Sequence, residues 1–384
     1  MSSYLFAIIF LAIPFFPLFY SIDIFYLPKW FFLIILNLFY LFFKFKIKPK
    51  KFKIFHILLI YLIFYTSIFF ILKPSFLNFS TILIFLFLLH ASFILEDLDK
   101  NSLKKCLKFL LILINIQAIY GIFQYFNLDL LFQVAPWASG ERMRMAGTIG
   151  TPAIYGIVLG FGFLLSFYLF YLKKNIIYLI STILFIFALT LNNTRSALFG
   201  IFFASFYFLL KKKEKRALKI LLFLFIFSFF AILSNKKIYE RWTEMLDLKK
   251  THSASIRLFY WEITLKAIKE RPFLGFGPES FSRVYFEKQA KVLSEERVNP
   301  PNVLQPNLWA HNDFLQIWLE YGIFAFLLFL YNFFWNFIKN ENIFSKALSI
   351  FLFITAFFLF PFYNPSTLFL IVFLFSIPLE HLKS

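Results

Sequence analysis

The most restrictive feature of this chain is a series of uninterrupted apolar runs, such as Phe85-Leu86-Phe87-Leu88-Leu89 and the stretch from Phe223 to Phe230. They have no polar face at helical period, so each is apolar nearly all round. Several reach the roughly 20 residues that a bilayer core of about 30 Å demands. With 61% hydrophobic and 15% charged residues, the chain has too little polar surface to cover a water-soluble fold. The expectation is an all-α, polytopic integral membrane protein.

The apolar pattern predicts twelve spans, at 4–22, 28–43, 54–73, 78–95, 106–126, 150–172, 176–192, 196–210, 217–234, 310–337, 344–362 and 366–380. The first, from Tyr4 to Tyr20, is not followed by a small-residue cleavage site and reads as a retained helix, not a removed signal. The single cysteine, Cys106, excludes an internal disulfide framework and a multi-cysteine metal site. Three units follow from the spans: 1–234 with spans one to nine, a polar loop domain at 235–309, and 310–384 with the last three spans.

Lysine and arginine are unevenly divided among the connections. Lys44 to Lys53 holds six lysines, Lys100 to Lys105 three, Lys173 and Lys174 two, and Lys211 to Arg216 five basic residues. These are alternate loops, and the other short loops hold only Lys29, Lys73, Arg142, Arg144 and Arg195. By the positive-inside rule the lysine-rich set is cytoplasmic, which places both termini in the cytoplasm and the long polar loop on the outer, periplasmic side. The net charge of +19 is then mostly topological and suited to anionic lipid, with no nucleic-acid module in view. No internal repeat of the kind found in many secondary transporters is apparent.

The loop from Ser234 to Leu308 carries 13 basic and 9 acidic residues, enough for a small folded cap. Helices are expected at Lys236 to Leu248 and Ser253 to Glu270, with loop material around Pro272, Gly275, Gly277 and Pro278 and again around Pro300, Pro301 and Pro306. Its tryptophans and tyrosines argue against disorder.

Polar groups suited to chemistry gather on the outer side. Asn192-Asn193-Thr194-Arg195-Ser196 interrupts two apolar runs, where Arg195 can offer its planar fork of donors to a phosphate or simply snorkel to lipid headgroups. Arg257 and Trp261 stand four apart and share a helical face. Glycines at 275 and 277 permit a tight turn that either serves structure alone or directs N–H groups at an anion. His311 opens a span with Asn312, Asp313 and Glu320 nearby, and it can accept a proton from a hydroxyl or merely occupy the interface. Arg142 and Arg144 precede a helix start and form a further anion-binding candidate. No Walker sequence, zinc-type His/Glu spacing or GxSxG elbow is present, nor an outer aspartate pair near the first span, so no cofactor and no metal is expected.

Taken as a set, Thr194-Arg195-Ser196-Ala197-Leu198, then Ile256-Arg257 with Trp261, then Pro272, Gly275, Gly277 and Phe281, then His311-Asn312 with Leu315-Gln316, Glu320 and Gly322 resemble the O-antigen ligase family. Its superfamily includes O-antigen polymerases and some protein O-oligosaccharyltransferases. The resemblance implies a glycosyltransferase of the bacterial inner membrane. It would move a glycan from an undecaprenyl diphosphate carrier to the sugar of lipid A-core or another saccharide acceptor at the periplasmic face. By that likeness Arg195 and Arg257 bind the donor diphosphate, with Arg271 a competitor for the second place, while Arg142, Arg144 and Asn312 are further substrate-binding candidates. His311 is the base or orients the acceptor hydroxyl. A repeat-unit polymerase is the alternative within the superfamily, and a lipid or anion transporter the alternative outside it, although the central spans hold almost no ionisable residues beyond His56 and His90.

Overall fold

The computed structural model describes residues 2–17, 27–43, 53–129, 131, 145–212, 215–243, 252–296, 308–339 and 342–377. The described chain is helical throughout, with no strand among these residues. Twelve apolar helices form its body: α1 (Ser3–Ala12, extended by a 3-10 turn to Phe15), α2 (Leu27–Phe43), α3 (Ile54–Leu72), α4 (Phe76–Glu96), α5 (Lys100–Tyr125), α6 (Pro152–Lys173), α7 (Ile176–Asn192), α8 (Arg195–Lys212) and α9 (Lys215–Ser234) come first. Three more polar helices follow, α10 (Lys236–Thr243), α11 (His252–Glu270) and α12 (Phe281–Glu296), and then α13 (Asp313–Lys339), α14 (Ile343–Phe358) and α15 (Pro365–Ser376) complete the body.

Short polar residues between the apolar runs set where helices begin. The side chains of Ser75, Asp99, Asn175, Asn342 and Asn364 each accept from a backbone N–H in the first turn of α4, α5, α7, α14 and α15, replacing a bond the helix cannot make there. Lys174 and Asn193 adopt left-handed backbone to end α6 and α7.

Among the described residues α3, α4, α5, α6 and α13 are long and apolar enough to cross a membrane. Six further helices are apolar but shorter, and α8 carries Arg195, Lys211 and Lys212 at its ends. The protein is therefore an all-α membrane protein. α6 is its centre: 89% of its apolar window is buried, against 33–50% for the other four long helices, whose remaining surfaces face outward. Small residues let neighbours close on α6, as where a Cβ at Gly156 would stand 2.5 Å from Thr194 or one at Gly160 2.4 Å from Phe351.

Alternate connections collect at opposite ends of the bundle. At one end Lys53 bridges Glu96 at 3.1 Å and donates to the carbonyls of Phe375 and Ser376, joining the start of α3 to the ends of α4 and α15. At the other, Lys29 donates to Ser366 Oγ at 2.6 Å and Thr148 Oγ1 to the Phe15 carbonyl at 2.8 Å, joining the starts of α2, α15 and α6 to the end of α1. The second end carries α10–α12.

Two differences from the sequence expectation concern this second end. The span expected from residue 310 begins at Asp313, and α13 is two helices broken at Gly322 (φ 79°, ψ −177°). The segment after Phe281, expected as loop, is the helix α12. Its Phe281, Val284, Tyr285 and Gln289 recur at helical spacing and are buried. A second hydrophobic core forms there from Ile263, Ala267 and Ile268 of α11, Phe281, Val284 and Tyr285 of α12, and Ala310 and Leu319. The first piece of α13 thus packs with the polar loop helices. The helix expected at 236–248 is seen from Lys236 to Thr243, and its remainder lies outside the described residues.

Candidate functional site

The break at Gly322 organises everything around it. Interrupting a helix frees carbonyls and N–H groups, each costing several kcal/mol if left bare in an apolar setting. The loop from Arg271 to Gly277 supplies the missing partners. Phe276 N–H donates to Leu319 O and Gly277 N–H to Glu320 O, both at 2.9 Å, while Ile323 N–H donates to Pro272 O at 3.0 Å. Trp318 Nε1 also donates to Pro272 O at 2.9 Å. From α3, the Tyr65 hydroxyl donates to the carbonyls of Leu274 and Glu320. There is no room for side chains at the crossing: a Cβ at Gly322 would lie 2.0 Å from Phe273 O, and one at Gly275 2.7 Å from Glu320 O. Neither glycine N–H is left for an anion: that of Gly277 is turned on the broken helix, and that of Gly275 donates to Arg271 O at 3.0 Å within the loop.

Glu320, fully buried, ties three elements together. Its Oε1 accepts from Phe281 N–H at 3.3 Å and Gln316 Nε2 at 3.4 Å, and its Oε2 from the Tyr363 hydroxyl at 2.8 Å. Gln316 in turn accepts from Ala310 N–H at 2.9 Å. The turn that carries His311 is therefore held from below by α13 itself.

His311 sits in that turn, just before α13, with left-handed backbone (φ 52°). Such a conformation is costly for a residue with a Cβ and persists only where surroundings enforce it. Its ring stacks on Tyr260 at 6.1 Å and meets the edge of Phe360 at 5.2 Å. Trp261 Nε1 donates to Ala310 O at 3.1 Å, fixing α11 to the same turn, and its ring packs on Phe357 and Phe358 of α14. Among the described residues Nδ1 of His311 is buried without a hydrogen-bonding partner. Burial, reinforced by the nearby positive charge of Arg257, pushes the imidazole down to about 3, so the ring is neutral at physiological pH.

The structure thus brings Arg257 and His311 together from sequence positions 54 apart. Arg195 occupies the first helical position of α8, after a two-residue turn. Asn192 Nδ2 donates to the carbonyls of Met145 (2.9 Å) and Pro152 (3.1 Å), and Thr194 Oγ1 donates to Pro152 O. These bonds lock the turn and leave the arginine as its half-buried tip. α8 and α14 run antiparallel, with Phe208 and Phe344 both against Tyr168 at one end and Gly200 against Phe351 midway. Arg195, five residues beyond Gly200, is accordingly level with Ala356 to Phe358, the end of α14 that Trp261 covers.

Asn312 is buried, and its Oδ1 accepts from Leu315 N–H at 3.1 Å, capping α13. Asp313, also buried, accepts from Phe362 N–H at 3.0 Å through Oδ2, while its Oδ1 has no hydrogen-bonding partner among the described residues. Arg142 and Arg144 lie outside the described residues. Arg271 follows the end of α11, fourteen residues beyond Arg257 within it and hence about 20 Å away along the axis. It stacks its guanidinium on Phe276 at 5.0 Å.

Sequence reasoning did not single out Tyr260, whose spacing of three from Arg257 on one helix was the available signal. Nor did it find Tyr363, which carries no pattern linking it to Glu320. Among the described residues no three His, Cys, Asp or Glu side chains group as metal ligands.

Comparison with known proteins bears on this end of the molecule. No curated protein matches the chain. A family model described as O-antigen ligase matches residues 180–330, the stretch that contains Arg195, Arg257, His311 and the break at Gly322. Through this segment, from α7 into the second half of α13, the chain is similar to the O-antigen ligase family.

Proposed function

We propose that the protein is a lipid-linked glycan transferase of the O-antigen ligase type, which moves a glycan from undecaprenyl diphosphate to a hydroxyl of lipid A-core. The observation that carries this reading is a neutral, partly unpartnered His311 beside the cationic Arg257, at the end of the bundle that also presents Arg195. The lysine asymmetry puts that end on the periplasmic side of the bacterial inner membrane and both termini in the cytoplasm. There the donor arrives already activated.

In the proposed step the acceptor oxygen attacks the anomeric carbon, and the bond from that carbon to the diphosphate oxygen breaks. His311 takes the hydroxyl proton, and Arg195 and Arg257 neutralise the departing diphosphate. The roughly 20 Å between Arg257 and Arg271 favours Arg257 as the second diphosphate arginine, because one diphosphate cannot span that length. The same geometry couples base strength to occupancy. Burial and, to a lesser degree, Arg257 hold the proton affinity of His311 down, so a diphosphate that neutralises Arg257 lifts the smaller part of that suppression when the donor is in place.

The test is transfer by the purified, reconstituted protein with carrier-linked glycan and lipid A-core. His311→Ala is expected to lower the rate by about 10²–10⁴-fold, and Arg257→Ala to act chiefly through donor use. Undiminished transfer by both variants overturns the assignment. Omitting lipid A-core separates ligase from polymerase, since elongation of carrier-linked chains without it belongs to a polymerase.

A further inference from the structure

A second group of cations lies at the same end of the molecule, away from His311. Lys73 caps α3, Arg271 follows α11, and Arg283 projects from α12. All three line one cavity of about 360 Å³ with Phe69, Phe276 and a single carboxylate, Glu287. Among the described residues none of the three cations forms an ion pair. Cations from three separate elements repel one another unless an anion joins them. The mouth lies at a polarity boundary, because Ile71, Leu72 and Phe76 beside Lys73 are 71–85% exposed, as a lipid-facing surface would be.

A second, deeper feature shares the same face of α3. Phe69, Tyr65 and Tyr61 stack in a stripe with ring separations of 4.9 and 6.1 Å. Tyr61 then lines an almost wholly apolar groove of about 440 Å³ with Phe324, Leu328 and Tyr331 of α13. Eight residues separate Phe69 from Tyr61, about 12 Å along the helix. A cationic head pocket and an apolar groove one short chain length below it match an amphiphile with a phosphate head.

We infer that Lys73, Arg271 and Arg283 form a lipid-phosphate site, with the tail of the lipid lying against Tyr61 and Phe324. The roughly 20 Å from Arg257 to Arg271 separates this head pocket from the donor diphosphate placed at Arg257. The phosphate belongs either to an anionic phospholipid of the bilayer or to a phosphate-bearing lipid acceptor. Only the second source rests on the transferase reading.

Binding is measured on the full-length purified protein in zwitterionic detergent, by native mass spectrometry, without any transfer assay. The probes are phosphatidylglycerol, phosphatidylcholine of the same chains, and a monophosphorylated glucosamine lipid. The wild type should retain at least one anionic probe over phosphatidylcholine. The double variant Arg271→Gln/Arg283→Gln should weaken it about tenfold or more, since each lost arginine removes a charge-assisted bond. Glu287→Gln should tighten binding several-fold by removing the one opposing charge, an outcome that misfolding cannot mimic. Arg257→Gln should leave retention unchanged. Preference for phosphatidylglycerol identifies a resident phospholipid, and preference for the glucosamine lipid an acceptor. Equal retention by wild type and the double variant, or an equal loss in Arg257→Gln, overturns the site.

Discussion

His311 is held in an uncommon state by identifiable neighbours. Its backbone is left-handed, its ring lies between Tyr260 and Phe360, and burial, with Arg257 second, suppresses its protonation. In the unfolded chain the imidazole returns to a value near 6.5. The folded value is the lower one, so below about pH 6.5 the unfolded state binds a proton that the folded state does not. Stability attached to this residue is full above pH 6.5 and declines as pH falls toward 3. Thermal unfolding in detergent at pH 7.5 and pH 5 should therefore show a smaller loss on acidification for His311→Gln than for the wild type. Activity should not titrate away between pH 8 and 6 through this group, because its neutral form already prevails. Asn312 is separable by a paired substitution. Asn312→Ser keeps a capping oxygen and should hold stability, whereas Asn312→Ala should lose about 1 kcal/mol. If Asn312→Ser retains full transfer, the side chain caps α13 and does nothing further.

At the scale of elements, the clamp on the broken α13 is the central device. Gly322→Ala would place a Cβ on Phe273 O and force a left-handed backbone on alanine, so a loss well beyond the ~1 kcal/mol of the backbone term is expected in chemical unfolding. Tyr65→Phe, which removes the donor to two clamp carbonyls, should cost about 1–3 kcal/mol without altering the His311 ring contacts. Much of the helical body was legible in the sequence, because apolar runs and the Ser, Asp and Asn residues between them state where helices start. Arg195, Arg257 and His311 were legible as polar residues out of place. The break was not, since residues 310–337 read as one apolar span and the partners at Gly322 come from about fifty residues earlier. Gly275 and Gly277 announced a turn, but nothing in their spacing named the carbonyls they approach. α12 was missed although Phe281, Val284 and Tyr285 lie at helical spacing, because the surrounding charges and prolines obscured that short pattern.

On the scale of the whole molecule, the two ends have different chemistry. One joins helix ends through lysines such as Lys53, and the other gathers Arg195, Arg257, His311, Lys73 and Arg271. Cys106, the only cysteine, is buried, so introduced thiols can be followed against a silent background. Ser75→Cys and Lys174→Cys, both at exposed connections, should react with an impermeant reagent from opposite faces of intact vesicles. Labelling of both from one face would contradict the alternation. The clamp also orders assembly in time. Residues 271–277 are synthesised before Gly322, so the partners for its freed groups exist when α13 emerges, provided α11 and the loop are already placed. Without them the 27 residues of α13 would gain more as one unbroken rod of about 40 Å, and the turn bearing His311 would lose its foundation. Integration of the tenth apolar helix is thereby tied to prior placement of α11 and the loop that follows it.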